Sequence, residues 1–358
     1  MPTANRPFLA SVAPLPSTQP VLSTPKTPTS PRTGSGTAET LSVIAPTPPR
    51  KSYCPQKQKT NCVYATVSRG ECCLKKTIRI NTSEPKLWLD TDITFSHVPV
   101  WFNSNTKSLK LSLLKPIEDQ NRNYPCIVWL CGGAWLEVNR NAFLANFSSM
   151  ARQGFIIAGV EYRTSNVAKF PAQLEDVKAA IRFLRANAEN FGIDPSLIGI
   201  MGESAGGHLA CLAGTTNGNC SFDKGQNLTE SSDVQAVCAW YPGIDLESEL
   251  EEDVLESFGG IRPQDQLLGK RTAGNPEMAR PANPKHYVSK GCPPFLLIHG
   301  GDDNLVPSSH SEGLYNALVA IGSTADLVLI EGAGHATIEF FQSEVLEMIT
   351  EFFQEHLA

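Results

Sequence analysis

Short apolar runs recur along the chain from about residue 90 onward, separated by polar or amphipathic stretches. Continuous apolar runs of five to seven residues are typical of strands covered on both faces of a sheet. The first two runs alternate imperfectly, as expected near the edge of a sheet. The pattern predicts eight strands, at residues 93–98, 109–114, 125–131, 155–160, 197–201, 234–240, 294–298 and 325–330.

Amphipathic segments between these runs predict helices. The clearest has Leu174, Val177, Ile181, Leu184 and Ala188 at helical spacing, which gives one apolar stripe. The predicted helices are at residues 142–152, 174–188, 208–213, 308–321 and 337–353. Strands that alternate with helices predict an α/β fold, with a mostly parallel eight-stranded sheet and helices on both faces. The irregular segment 243–293 predicts a small rim insertion after the sixth strand.

The first 75 residues differ from the remainder. Residues 1–50 hold eleven prolines and fifteen serines or threonines, which predicts a disordered leader. A transit peptide, a stalk and a wrongly assigned upstream start all fit this composition, and residues 8–15 make a poor signal-peptide core. We therefore expect a leader with a cysteine-containing segment over 1–75 and a catalytic domain over 76–358. The compartment stays undetermined.

Charge and cysteine content narrow the function classes. The net charge of −6 argues against nucleic-acid binding, and no apolar run approaches the length of a membrane span. The four cysteines nearest the front lack the spacing of a metal site, although they could form disulfides; they are Cys54, Cys62, Cys72 and Cys73. Four others lie in apolar runs and are expected to be buried thiols: Cys126, Cys131, Cys211 and Cys238.

A G-x-S-x-G match, Gly202 to Gly206, stands between the predicted strand 197–201 and the predicted helix 208–213. Strand, sharp turn and helix form the context of a nucleophile elbow, in which Ser204 would be exposed on a strained turn. The two glycines fit this interpretation because the neighbouring backbone would leave no room for side chains. A chance match is the alternative, since the pattern is common in long chains.

A serine nucleophile needs a base and a group that orients the base, and in this architecture they follow in the order Ser, Asp or Glu, His. His335 and Asp303 follow late strands in that order, and we assign them as base and acid. Other residues remain open: Asp302 and Asp245 as the acid, and His299 as the base. His208 lies four residues after Ser204 on the predicted helix, which favours a packing role.

Backbone N–H groups that stabilise an oxyanion are expected at two places. The first is Ala205, directly after the serine, and the second is the turn after the third strand, where we assign Gly132 and Gly133. An ordinary strand-to-helix turn is the alternative there. Trp135 would line a substrate pocket, although a core tryptophan fits equally well.

Taken together, these motifs resemble the α/β-hydrolase superfamily, and more narrowly its hormone-sensitive-lipase-like and BD-FAE-like (acetylxylan/feruloyl esterase) branch. The resemblance covers residues 90–355 and rests on segments 131–135, 161–163, 170–177, 202–208, 299–307 and 332–335. Two residues depart from the family's His-Gly-Gly-Gly: Cys131 replaces the histidine and Ala134 the third glycine. Donation by the backbone N–H groups of Gly132 and Gly133 survives either change.

The resemblance implies a cofactor-free and metal-free serine carboxylesterase that forms an acyl-enzyme. Its substrates would be short acyl esters, or acetyl and feruloyl esters, either small or linked to polysaccharide. An arylformamidase-type amide hydrolase and a non-catalytic binding protein are the alternatives. A homodimer is compatible with the esterase and with both alternatives. All three triad residues are present, which argues against the binding protein.

Overall fold

The computed structural model describes residues 76–100, 104–117, 122–247, 259–272 and 275–357. The expected leader over residues 1–75, with its four cysteines, lies outside these residues, and so does most of the acidic run 247–252. From Thr77 onward the described residues belong to one unit, and the fold below is that of this unit.

One mixed sheet contains all eight predicted strands. They are β1 (Leu87–Val100), β2 (Asn105–Pro116), β3 (Tyr124–Leu130), β4 (Ile156–Val160), β5 (Ile193–Glu203), β6 (Val237–Trp240), β7 (Phe295–Gly300) and β8 (Ala325–Ile330). Their order in the sheet is β1-β2-β4-β3-β5-β6-β7-β8. β2 is antiparallel to β1 and β4, and the other neighbours are parallel. The two register shifts within β1 explain its imperfect alternation.

Helices follow most of the strands. They are α1 (Ser148–Arg152), α2 (Ala172–Ala186), α3 (Ala188–Phe191), α4 (Ala205–Thr215), α5 (Pro263–Leu268), α6 (Ser309–Ala320) and α7 (Ser343–His356). The predicted helices at 174–188, 208–213 and 308–321 are confirmed as α2, α4 and α6, with ends that differ by a few residues.

Two helix predictions were partly wrong. Residues 142–147 form successive turns, and the helix begins only at Ser148. Tertiary contacts override the helical pattern there, because the carbonyl of Ala142 accepts the indole N–H of Trp129 and Phe143 has a φ of 63°. The last predicted helix begins with a 3-10 turn, Ile338–Phe341, and extended backbone at Gln342 separates that turn from α7.

Apolar side chains of the central strands are buried on both faces of the sheet. Along β3, Val128 and Leu130 pack on the face covered by α2, α4 and α6, whereas Trp129 packs on the face covered by α1 and α7. The sequence prediction of helices on both faces is confirmed. The four predicted buried thiols of the described chain are confirmed as well: Cys126, Cys131, Cys211 and Cys238.

Beyond β6 the chain leaves the sheet and returns at β7, which is where the rim insertion was predicted. Its described part contains α5 and three 3-10 turns, Pro276–Met278, Arg280–Ala282 and Pro284–Tyr287. His310 of α6 fixes the start of this excursion, because its Nδ1 accepts the backbone N–H groups of Ile244 and Asp245, both at 3.1 Å.

Candidate active site

Ser204 stands alone between β5 and α4, with φ 52° and ψ −119°. This conformation is unfavourable for a residue with a Cβ and persists only where the surroundings impose it. Here the Ser204 N–H donates to the carbonyl of Trp240 at 2.9 Å. A Cβ on Gly202 would come 2.5 Å from the carbonyl oxygen of Gly206, and one on Gly206 would overlap the carbonyl of Leu130. The glycines thus permit the sharp turn that the G-x-S-x-G pattern predicts.

Three side chains from three loops form a hydrogen-bonded series at the carboxyl ends of β5, β7 and β8. Nε2 of His335 lies 3.0 Å from Oγ of Ser204. Nδ1 of the same ring lies 2.7 Å from Oδ2 of Asp303. With Nδ1–H donating to the carboxylate, Nε2 is the acceptor and the serine hydroxyl is the donor. The arrangement can remove a proton from Ser204.

Asp303 is oriented by its own loop. Its Oδ1 accepts the N–H groups of Leu305 at 3.0 Å and Val306 at 2.9 Å. Burial alone would raise the pKa of Asp303, but hydrogen bonds from His299 and His335 lower it by more, so its pKa lies well below the ordinary value. The carboxylate therefore stays ionised and holds the Nδ1–H tautomer of His335.

The rival residues do not occupy the positions of Asp303 and His335 in this series. Asp302 is exposed, and Asp245 lies 3.8 Å from Lys285. His299 is fully buried, and its ring binds the Val306 carbonyl at 2.8 Å and the Ser311 hydroxyl at 2.7 Å. These contacts make His299 a support for the Asp303 loop.

One expected oxyanion donor is otherwise engaged. The N–H of Gly132 donates to Oε1 of Glu203 at 2.5 Å, so we correct the assignment of Gly132. The amides of Gly133, Ala134 and Ala205 make no hydrogen bond to another described residue. From the sequence we assigned glycines as donors and so missed Ala134, although a backbone N–H donor does not have to belong to a glycine.

Trp135 is mostly buried, with 6% of the residue exposed. Its ring meets His208 edge-on, and its indole N–H donates to Nδ1 of His208 at 3.2 Å. The other nitrogen of His208 donates to the carbonyl of Ala282 at 2.6 Å. Burial lowers the pKa of His208 to about 4, so the ring is neutral. His208 has the packing role expected of it, and the substrate contact of Trp135 stays a prediction.

Sequence reasoning missed two residues beside the series. The ring of Tyr241 contacts that of His335, with centroids 4.6 Å apart. Burial, and then the nearby charge of Glu203, raises the pKa of Tyr241, whose hydroxyl is therefore protonated. Glu203 is the variable residue directly before the serine in G-x-S-x-G, which gives no signal by itself. Among the described residues, no cluster of His, Cys, Asp and Glu is suited to hold a metal ion.

Comparison with known proteins places the chain in a family. The sequence model of the BD-FAE family matches residues 111–318, more than half of the chain. The chain belongs to the BD-FAE family. Among curated relatives, Esterase LipC of Mycobacterium tuberculosis is 33% identical over 216 residues, which cover 59% of this chain and 52% of LipC. The chain thus spans about half the length of the curated relatives it matches.

Solved structures agree with membership of the BD-FAE family and with the α/β-hydrolase fold. A truncated carbohydrate esterase from gut microbiota superposes with a TM-score of 0.66 and 29% identity, covering 77% of this chain and 98% of that one. Thermogutta terrifontis esterase 2 phosphorylated by paraoxon superposes with a TM-score of 0.60 and 25% identity, and the match covers 78% of this chain and 99% of that one. No helix in the described ranges of our chain has the length and hydropathy needed to span a membrane.

Proposed function

We propose that this BD-FAE family member is a serine carboxylic-ester hydrolase whose triad is Ser204, His335 and Asp303. The observation that carries the proposal is the hydrogen-bonded series, with 3.0 Å from Ser204 to His335 and 2.7 Å from His335 to Asp303. A serine hydroxyl is a weak nucleophile, and this series supplies the base and the group that orients it.

The reaction runs in two halves. In the first, Oγ of Ser204 attacks the ester carbonyl while Nε2 of His335 takes the hydroxyl proton. The negative charge that develops on the carbonyl oxygen is stabilised by the N–H groups of Gly133, Ala134 and Ala205. His335 then gives its proton to the departing alcohol, and an acyl-enzyme remains. In the second half, His335 takes a proton from water, the hydroxide attacks the acyl carbon, and the acid is released as Ser204 regains its proton.

The proposed substrates are short acyl esters, or acetyl and feruloyl esters, including those linked to polysaccharide. Two neighbours support this class: the carbohydrate esterase, and an acetyl ester-xyloside bifunctional hydrolase from Caldicellulosiruptor lactoaceticus at 25% identity and a TM-score of 0.59. The named activities belong to those proteins.

The test uses the purified full chain. Hydrolysis of p-nitrophenyl acetate, butyrate and octanoate, methyl ferulate, acetylated xylan and N-formylkynurenine is measured beside Ser204→Ala. We expect turnover of acetyl or feruloyl esters that disappears in Ser204→Ala, and labelling of Ser204 by a fluorophosphonate. If N-formylkynurenine is hydrolysed faster than the esters, the proposed substrate class becomes an amide. A folded protein with no turnover and no label would refute the hydrolase and favour a binding role.

A further inference from the structure

Residues 131–135, here named the oxyanion loop, hold a backbone that needs external support. Gly133, Ala134 and Trp135 have φ values of 121°, 53° and 58°, three successive residues with positive φ. Only the first is a glycine, and L residues rarely adopt this region unless surrounding contacts impose it. Two of the contacts that could impose it come from the elbow that carries Ser204.

The first contact comes from Glu203, the residue directly before the serine. Glu203 is 7% exposed, and its carboxylate accepts the N–H of Gly132 at 2.5 Å and the thiol of Cys131 at 3.6 Å. Burial and the charge of Glu203 raise the pKa of Cys131 to about 12, so the sulfur keeps the proton that it donates. A Cβ on Gly132 would come 2.7 Å from this carboxylate, so a side chain at residue 132 would displace it.

The second contact comes from His208, one turn into α4. Its Nδ1 accepts the indole N–H of Trp135 at 3.2 Å, and the two rings meet edge-on with centroids 5.1 Å apart. Since Nδ1 is the acceptor, the proton is on Nε2, which donates to Ala282. That hydrogen bond fixes the tautomer and the orientation of the ring that receives Trp135.

We propose that Glu203 and His208 are positioning residues that hold the oxyanion loop at both ends, so that the backbone N–H groups of Gly133 and Ala134 face the carbonyl oxygen of the acyl group bound to Ser204. The proposal rests on the proposed ester hydrolysis. Nucleophile and oxyanion donors are then attached to one segment, 203–208, and their separation is set by that segment. Donors placed in advance stabilise the transition state without reorganisation, and small displacements are costly.

A second explanation of Glu203 has to be separated from this one. Its charge also acts on Tyr241, whose ring lies against His335, so removal of Glu203 could alter the base. Glu203→Gln removes the charge but keeps a carbonyl oxygen that accepts from Gly132. If holding the loop is what matters, Gln restores most of what Ala loses.

The experiment measures kcat and KM for p-nitrophenyl acetate in the full chain, together with the affinity for a trifluoromethyl ketone, which forms a tetrahedral oxyanion on the serine. Glu203→Ala should lower kcat about 30-fold and Trp135→Phe about tenfold, with KM within about threefold of the wild type. Ketone affinity should fall in parallel. Glu203→Gln should stay within about threefold of the wild type.

Trp129→Phe is the matched control, since it also removes one indole hydrogen bond, to Ala142 at 2.9 Å, from a buried tryptophan. It should lower stability but keep kcat and ketone affinity. Trp135→Phe keeps an aromatic side chain but removes the indole N–H that His208 accepts, so it tests this contact even if Glu203→Ala fails to fold. Wild-type kcat and ketone affinity in Trp135→Phe, or equal losses in Glu203→Gln and Glu203→Ala, would overturn the proposal. A wild type without turnover would instead refute the hydrolase itself, and the positioning role with it.

Discussion

Nε2 of His299 lies 3.4 Å from Oδ2 of Asp303, the same oxygen that accepts the hydrogen bond from His335. The carboxylate is therefore placed between two imidazoles, only one of which reaches Ser204. His299 also donates to the carbonyl of Val306, whose N–H binds the other oxygen of Asp303. One buried histidine thus fixes both the acid and the turn that orients it.

Replacing His299 should impair catalysis without affecting substrate binding. His299→Leu removes the donor to Val306 and the ring beside Asp303, so the acid can shift relative to His335. We expect kcat for p-nitrophenyl acetate to fall about tenfold with little change in KM. Ser311→Ala, which removes only the hydroxyl on the Nδ1 side, should cost less than threefold. Equal losses of kcat in the two variants would contradict the claim that His299 acts through its contacts with Val306 and Asp303.

Asp303→Asn should abolish most of the turnover while the fold is retained. An amide cannot hold the Nδ1–H tautomer of His335, and kcat should fall by about 10⁴ at neutral pH. Asp302→Asn is the matched control, because Asp302 is adjacent to Asp303 and exposed. Steady-state kinetics of both variants provide the measurement. A large loss in Asp302→Asn with a small one in Asp303→Asn would reassign the acid.

Acid should destabilise the fold through two histidines. Burial lowers the pKa of His208 and of His310 from 6.5 to about 4. The unfolded chain therefore binds protons at higher pH than the native protein does. The stability contribution is fully present above pH 6.5 and is lost as the pH falls from 6.5 towards 4. Each histidine should add a slope of up to about 1.4 kcal/mol per pH unit.

His310→Gln isolates one of these two contributions. The glutamine oxygen can still accept from Ile244 and Asp245, but it does not titrate. Urea unfolding at several pH values between about 4.5 and 7 should show a free energy that declines less steeply with acid than in the wild type. If the free energy of unfolding falls with acid equally in the wild type and in His310→Gln, His310 has the same pKa in the folded and the unfolded chain.

Gly206→Ala should unfold the elbow or destabilise it by about 3 kcal/mol or more, because the new Cβ overlaps the carbonyl of Leu130 and lies 2.9 Å from that of Cys131. Gly291→Ala is the control. Its Cβ would find Ser289 Oγ at 3.9 Å as its nearest neighbour, and we expect a change within about 0.5 kcal/mol. The midpoints of urea unfolding measure the stability of both variants. A loss of stability in Gly206→Ala as small as that in Gly291→Ala would refute the close packing of the elbow.

Local sequence patterns predicted the strands well for a physical reason. A strand buried on both faces must be apolar at every position, so β3 and β4 are visible as continuous runs. The turns at 142–147 had no such signal. Their course depends on two hydrogen bonds, one from the indole N–H of Trp129 to the carbonyl of Ala142 and one from the guanidinium of Arg140 to Asp92. The paired residues are 13 and 48 positions apart in the sequence, so a local pattern does not reveal them.

The same limit applies to the site. Serine, acid and base could be assigned because each follows a predicted strand in the order that this architecture requires. Choosing between Asp302 and Asp303 needs the direction of each side chain, which adjacent residues do not reveal. The engagement of Gly132 by Glu203 joins segments 71 residues apart, so only the folded chain exposes it.

The hydrogen bond from His208 to Ala282 links the buried elbow helix to the rim insertion. A chimera that carries the rim insertion of another family member, made to change substrate preference, would therefore also alter the contacts of His208. A graft that moves the carbonyl of residue 282 releases the imidazole that holds Trp135. The graft boundaries should leave the 3-10 turn Arg280–Ala282 in place and exchange only the rim residues before it.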